Sequence, residues 1–270
     1  MRNLHKGYAF FIHPVALFLL NKNMDFRWSI IQGYAPLFVK GFFMTLQVAV
    51  ISIIIGTILG LFLGMLRVAD IKHGPWKWPF RAVRALASFY VAFFRGTPLF
   101  VQILLIHFAA MPVLIHQDNG LLISGDLARH IKQDYGAFIS GIVALSLNAG
   151  AYISEIFRAG IQSIDRGQTY AASSLGMGYR ATMRYVVLPQ AFRRMLPPLG
   201  NEAITLLKDS SLVSAIGLAE LAYAARTVAG AYSRYWEPYI TISIVYFAMT
   251  ICLATLVSRL ERRYAAPGRH

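Results

Sequence analysis

The chain has 270 residues, 57% hydrophobic and only 14% charged, against about 25% charged in soluble domains, which excludes an ordinary water-soluble globule. Lysine and arginine outnumber aspartate and glutamate 26 to 12, a formal net charge of +14, and in so apolar a chain that excess points to membrane topology before nucleic acid. The lone Cys252 lies in an apolar run and no GxxxxGK[ST] loop is present, so a disulfide framework, a cysteine metal site and a phosphate-binding loop are all excluded.

Residues 1–40 form an N-terminal extension, interfacial or on the outer side. Its apolar stretch Tyr8–Leu20 holds 13 residues and contains His13-Pro14, too short to cross as a standard helix. It reads as an interfacial or short packed segment, with a sixth crossing or an uncleaved signal-like stretch as alternatives. Residues 41–260 form the transmembrane domain. A crossing needs about 20 mostly apolar residues, and three uncharged stretches meet that need: Lys40 to Arg67 (span 1), Asp134 to Glu155 (span 3) and Glu237 to Arg259 (span 5). Span 2 runs from about Ala85 to Ile115, with Arg95 inside it and Pro98 and Pro112 bending it. Span 4, roughly Met195 to Leu212, contains Glu202, Lys208 and Asp209, charges expected where a helix faces a protein-lined cavity.

Orientation follows the basic residues. Arg67, Lys72, Lys77, Arg81 and Arg84 follow span 1; Arg158, Arg166, Arg180, Arg184, Arg193 and Arg194 follow span 3; Arg259, Arg262, Arg263 and Arg269 close the chain. These segments belong inside, with 261–270 as a cytoplasmic tail. The segments 116–135 and 213–237 belong outside.

Polar residues seven apart share a helix face and mark seams turned away from lipid. Thr45 and Ser52 align on span 1, Arg95 and Gln102 on span 2, Asn148 and Glu155 with Tyr152 between them on span 3, and Glu202 with Asp209 on span 4. Gly56, Gly60 and Gly64 make a repeated GxxxG on span 1, which lets another helix approach closely. The Ser, Thr and Gly members read as glue between helices. For Arg95, Glu155, Glu202, Lys208 and Asp209 two readings stand, mutual pairing or a path for a zwitterion, because a charge near the bilayer centre costs about 2.5–3.5 kcal/mol even on the lenient insertion scale.

The loop from about 158 to 198 far exceeds the 2–8 residues an idle turn needs. Gln168–Leu175 reads as a short helix of small residues, stopped by Gly176 and Gly178, both able to adopt positive φ. Tyr179–Val187 resumes helical spacing and Pro189 terminates it. Two short helices joined at a glycine form an elbow on which another protein can dock. A lipid-anchoring helix would carry bulky apolar residues where Ala171, Ala172, Ser173 and Ser174 stand.

These residues resemble the integral-membrane permease subunits of ATP-binding-cassette importers for polar amino acids, of the histidine, glutamine and arginine type. That family's signature is EAA, three residues, Gly, nine residues, Ile, any residue, Leu-Pro; here Tyr170-Ala171-Ala172, Gly176, Val186 and Leu188-Pro189 fall at those spacings. RGTP from Arg95 to Pro98, LSLNAGAY from Leu145 to Tyr152, PPLGNE from Pro197 to Glu202 and LLKDSSL from Leu206 to Leu212 are similar to its amino-acid branch. The resemblance covers roughly residues 24–260. It implies an all-α, five-helix type I importer domain in the bacterial inner membrane, paired with an identical or paralogous permease. It implies partner ATPase subunits that hold ATP and Mg, a solute-binding protein outside, and no cofactor, metal or catalytic residue on this chain. By match, Tyr170, Ala171, Ala172, Gly176, Met177, Gly178, Leu188 and Pro189 form the ATPase-coupling surface. Arg95, Gln102, Asn148, Tyr152, Glu155, Asn201, Glu202, Lys208 and Asp209 are the candidate substrate path. Tyr170 stands where the family has Glu, which removes an ion pair at that point.

An ion-gradient-driven secondary transporter or channel for small zwitterions fits the buried charges equally well, but gives the elbow no role. An intramembrane enzyme is disfavoured, since His107 has no partner at metal-ligand spacing and reads as a packed or hydrogen-bonded side chain. The arginines are spread over the loops between spans, unlike those of a nucleic-acid-binding module.

Overall fold

A computed structural model describes residues 25–69 and 74–264. The reading of Tyr8–Leu20 falls outside them. The described residues are helical, with one isolated bridge between Ile115 and Ile123 and no strand. In chain order they form α1 (Trp28–Gly33), α2 (Ala35–Val68), α3 (Lys77–Gly96), α4 (Leu99–Leu105), a π turn (Ile106–Ala110) and α5 (Met111–Leu114). There follow α6 (Gly125–Gln162), α7 (Arg166–Ser174), α8 (Tyr179–Thr182), a second π turn (Met183–Val187), α9 (Leu188–Asp209), a 3-10 turn (Ser210–Ile216), α10 (Leu221–Tyr232) and α11 (Trp236–Tyr264).

Three of these, α2, α6 and α11, are long and apolar enough to cross a membrane alone, and two bent pairs bring the count to five. Spans 1, 3 and 5 therefore lie where the uncharged stretches put them. Span 2 differs: the chain turns through 110° between Lys77–Gly96 and Leu99–Leu114, so it is no single bent rod. The break falls at Gly96–Pro98, where Thr97 and Pro98 are extended as a residue before proline prefers. Pro112 breaks nothing, because it directly follows the π turn Ile106–Ala110 in a helix that runs on from Leu99, and the widened turn makes room for a ring without a donor. Span 4 also differs. Pro189 does not end a helix; it stands in the first turn of α9, directly behind the widened π turn that makes room for a ring without a donor. The helical path thus runs from Tyr179 to Ile216, then bends 48° into α10.

The centre of the fold is the contact of α2 with α6. A Cβ on Gly56 would lie 2.8 Å from Ala149 Cβ, one on Gly60 2.6 Å from Ile153 Cβ, and one on Gly64 2.8 Å from Phe157 Cδ1. Gly150 answers from α6, where a Cβ would meet Leu59 Cδ2 at 2.9 Å. The glycine spacing therefore serves as helix contact, as expected. Its register also fixes direction: steps of four along α2 match steps of four, in the same sense, along α6. The two helices are parallel, so the segment between them must carry the chain back across. Around this pair the core gathers Val48, Ile103, Leu145, Ala149, Ile153, Leu206 and Val213.

Gly60→Val would drive a branched side chain into Ile153. It should cost at least the 1–3 kcal/mol typical of overpacking and lower the thermal unfolding midpoint of the purified permease, whereas Gly33→Ala, with open space around it, should not.

Candidate functional site

Two regions carry the candidate residues, and α9 links them. At the end of α6, Glu155 accepts from Arg67 Nη1 of α2 at 2.9 Å and from Arg158 Nε at 3.1 Å, and Arg158 Nη2 adds a closer contact. Arg95 reaches Glu155 less closely, with Nη1 4.0 Å from Oε2, and its guanidinium lies 5.3 Å above the Tyr152 ring. Arg95, Tyr152, Glu155, Arg194 and Pro198 border a recess of about 410 Å³. The carboxylate is thus a hub for three guanidiniums, and the recess beside it offers cations, a ring face and a carboxylate within one small volume.

Gln102 and Asn148 are brought together, but for a structural task. Asn148 Nδ2 donates to Gln102 Oε1 at 2.9 Å, and Gln102 Nε2 donates to the carbonyls of Phe94 and Thr97 at 2.8 and 3.0 Å. These are carbonyls that the 110° break leaves without helical partners, and the buried amides satisfy them. The pair caps the break instead of offering free donors to a path. Thr45 and Ser52, the seam of α2, are fully buried. His107, half-buried, has Nδ1 3.0 Å from Ser140 Oγ, a hydrogen-bonded histidine as expected.

Asn201, Glu202, Lys208 and Asp209 all lie on α9. Of the two readings left open, mutual pairing holds for Arg95 with Glu155 but not for Glu202, Lys208 and Asp209, whose side chains make no hydrogen bond or ion pair among the described residues. Glu202 and Asp209 are half-buried, Asn201 and Lys208 exposed. A row of uncompensated polar groups on an intramembrane helix marks a surface that meets water, a partner or a solute.

The elbow has the expected helix–glycine–helix plan. Asp165 caps α7, accepting from the Gly167 N–H at 2.6 Å. Gly176 stops the helix at φ +79°, while Gly178 is extended at φ −69° and opens α8, so only the first glycine uses the left-handed region. Tyr170, Ala171, Gly176, Gly178, Leu188 and Pro189 are exposed and Met177 is half-buried; Leu175 is 82% exposed. Ala172 is the exception in the expected docking set, because it is buried, its carbonyl receiving the Met177 N–H at 3.1 Å. The elbow is clamped to α9 by Gln190 Nε2 donating to Gln168 Oε1 at 3.3 Å, and by Arg194 donating to the Ser163 carbonyl.

The family follows from the chain itself. The model of the binding-protein-dependent transport system inner membrane component matches residues 56–266. This chain belongs to that family. It is similar to the arginine transport system permease protein ArtQ of Bacillus subtilis, 36% identical over 241 residues, 89% of this chain and 97% of the relative. It is 35% identical over 240 residues to the glutamine transport system permease protein GlnP of Escherichia coli K12, covering 89% and 98% of the two. Among solved structures, an amino acid ABC transporter with histidines superposes with a TM-score of 0.72 at 39% identity, covering 89% of this chain and all of that one. The chain is accordingly an all-α ABC permease of the bacterial inner membrane, and this family of permeases works with an ATPase and a substrate-binding protein.

Two buried carboxylates in this permease had no place in the sequence reading. Glu220 accepts from Tyr246 Oη at 2.8 Å, the Tyr223 N–H at 2.9 Å and Thr45 Oγ1 at 3.3 Å, tying α10, α11 and α2. Glu237 accepts from Arg234 Nε at 2.8 Å and the Arg27 N–H at 2.9 Å. The sequence signal for Glu220 is Gly217, able to end a helix, three residues ahead of an acid that precedes the apolar Leu221–Ala225.

Glu220→Ala leaves Thr45 and Tyr246 without their acceptor in a dry site and should cost about 3 kcal/mol or more, with Tyr246→Phe nearer 1–2. Thermal unfolding of the purified permease measures both, and Ser243→Ala, whose hydroxyl only bonds its own helix, should stay at the parent value.

Proposed function

We propose that this permease forms the membrane pathway of an ATP-driven importer of polar or charged amino acids, with the α9 row as part of the path and the elbow as the motor contact. The observation that carries this is a connection: the exposed α7 of the elbow is clamped to α9 by Gln190 on Gln168, and α9 belongs to one helical path, Tyr179 to Ile216, that carries Glu202, Lys208 and Asp209 toward its far end. A ligand or motor moves an equilibrium only through contacts that differ between its states, and this path, with Pro197 and Pro198 inside it, is the covalent link between the elbow and the row.

In this reading two ATPase subunits bind ATP and Mg and carry out hydrolysis; this chain contributes no catalytic group. Tyr170, Ala171, Leu175 and Gly176 present the contact. Tyr170 lacks the charge of the family's Glu, so docking rests on apolar and shape complementarity. Two permease copies, identical or paralogous, face one another across the path. Arg95 with Tyr152 suits a carboxylate, and Glu202 and Asp209 suit an ammonium. The amino-acid class is supported by the relatives, whose named solutes, arginine and glutamine, differ in side-chain charge but share the zwitterionic backbone. A solute-binding protein makes the first selection outside.

The test is uptake of labelled arginine and glutamine into vesicles holding the permease with its ATPase and binding protein. Gly176→Val, strained at φ +79°, should leave the permease folded in the membrane and reduce ATP-driven uptake at least tenfold. Asp209→Asn and Glu202→Gln should alter uptake while the ATPase still co-purifies. Unchanged uptake in Gly176→Val would refute the coupling role, and unchanged uptake in both carboxylate variants would refute the path.

A further inference from the structure

Helix α3 combines three features that, Arg95 apart, the transport reading leaves unused. First, its faces are segregated. Lys77, Arg81, Arg84, Ser88 and Arg95 recur at steps of four, three, four and seven, along one side. Val83, Leu86, Phe89 and Phe93 occupy the opposite side and are 45, 69, 70 and 41% exposed. Second, its start is aromatic: Trp76 and Trp78 are 71% and 72% exposed, and the Arg81 guanidinium sits 5.3 Å over the Trp78 ring. Third, Arg81, Arg84, Ala85 and Ser88 line a polar recess of about 400 Å³. Among the described residues neither arginine has a carboxylate partner.

The orientation of α3 follows from its contacts with α6. The segment after the break tracks α6 antiparallel, since Gln102 meets Asn148 and His107 meets Ser140. The 110° turn therefore sends α3 steeply across α6. Tyr90, beside the apolar side, donates to the Leu147 carbonyl at 2.5 Å. Arg95, on the basic side, reaches Tyr152 and Glu155, one to two turns nearer the arginine-rich inner end of α6. So the apolar side of α3 looks toward the membrane interior and the basic side toward the cytoplasm. That is the arrangement of a helix lying in the interface, apolar face down and basic face at the headgroups, with tryptophans at headgroup level.

We infer that α3 is an interfacial helix whose Arg81–Arg84–Ser88 recess binds the phosphate of an anionic phospholipid of the inner leaflet, the acyl chains lying along Val83, Leu86 and Phe89. Two guanidiniums converge on one volume, the chemistry a phosphodiester requires, while the Ser88 hydroxyl, which donates to the Arg84 carbonyl at 2.9 Å, only borders it. The neighbouring apolar face gives the site to a lipid and not to a free anion.

The experiment reconstitutes the full permease in phosphatidylcholine vesicles containing phosphatidylglycerol. Trp28→Phe and Trp236→Phe remove the other two of its 4 tryptophans, so emission reports on Trp76 and Trp78. Brominated phosphatidylglycerol should quench that emission well beyond its mole fraction, and brominated phosphatidylcholine should not. Arg81→Gln and Arg84→Gln should each reduce the enrichment about fivefold, the factor that corresponds to about 1 kcal/mol per basic residue near an anionic surface, with melting temperature unchanged. Glycerol phosphate in the buffer should not restore the emission. The inference is overturned if quenching follows mole fraction, if the arginine variants keep the enrichment, or if glycerol phosphate displaces the lipid. It is equally overturned if neither brominated lipid quenches, because a second permease or another subunit then covers α3. None of these readouts depends on uptake or on the nature of the solute.

Discussion

The close parallel approach of α2 and α6 is the constraint from which the rest of the architecture follows. With no hydrophobic drive between helices in lipid, association depends on packing and polar contacts, and glycines at 56, 60, 64 and 150 bring the two backbones together where any Cβ would clash. That approach sets Arg67 beside Glu155. It brings the Ser146–Asn148 region of α6 to the level where the chain breaks at Gly96–Pro98, so that Asn148 and Gln102 can satisfy the freed carbonyls. Because the contact is parallel, it also obliges the intervening segment to recross, which is why a 16-residue stretch from Leu99 to Leu114 is tolerated despite a π turn and a proline within it.

The carboxylates divide into two populations by what surrounds them. Glu155, Glu220 and Glu237 are engaged by arginines, hydroxyls or backbone donors, and each ties together segments far apart in sequence. Removing any of them would strand the donors it serves. Glu202 and Asp209 have no such partners among the described residues and lie on the helix that begins at the elbow. Structural charges in this permease are those already satisfied within one chain. Those left over are the ones that the proposed path draws on.

Much of this was legible in the sequence. The uncharged stretches located α2, α6 and α11, since span length is dictated by bilayer thickness. The glycine repeat announced the central contact, and Gly176 the end of α7, because only a residue without Cβ suits φ +79°. What was illegible depended on relations between distant segments. Composition alone cannot distinguish a bent span from one broken through 110°, since both halves are apolar. Gln102 and Asn148 looked like path residues because a buried amide that caps a broken helix and one that waits for a ligand have the same spacing. Glu220 was hidden because its partners, Thr45 and Tyr246, are 175 and 26 residues away.

The misreading of Pro189 is the most instructive of these. As a terminator it would have made the elbow a detached hinge, able to bind a motor but poorly placed to pass on what it feels. Instead the π turn at Met183–Val187 absorbs the proline, and the helical path runs on to Ile216. Gln190 and Arg194, in the first two turns of α9, reach back to Gln168 on α7 and to the Ser163 carbonyl at the end of α6, so the start of α9 is braced to both. Gly176 lies inside the loop that this brace closes, so a displacement of α7 reaches the start of α9 across the glycine. Coupling between separated sites needs an element with two arrangements that both sites can bias; the proposed coupling therefore rests on the braced start of α9 and on how the helix passes Pro197 and Pro198, the point at which the elbow side and the Glu202 side could part.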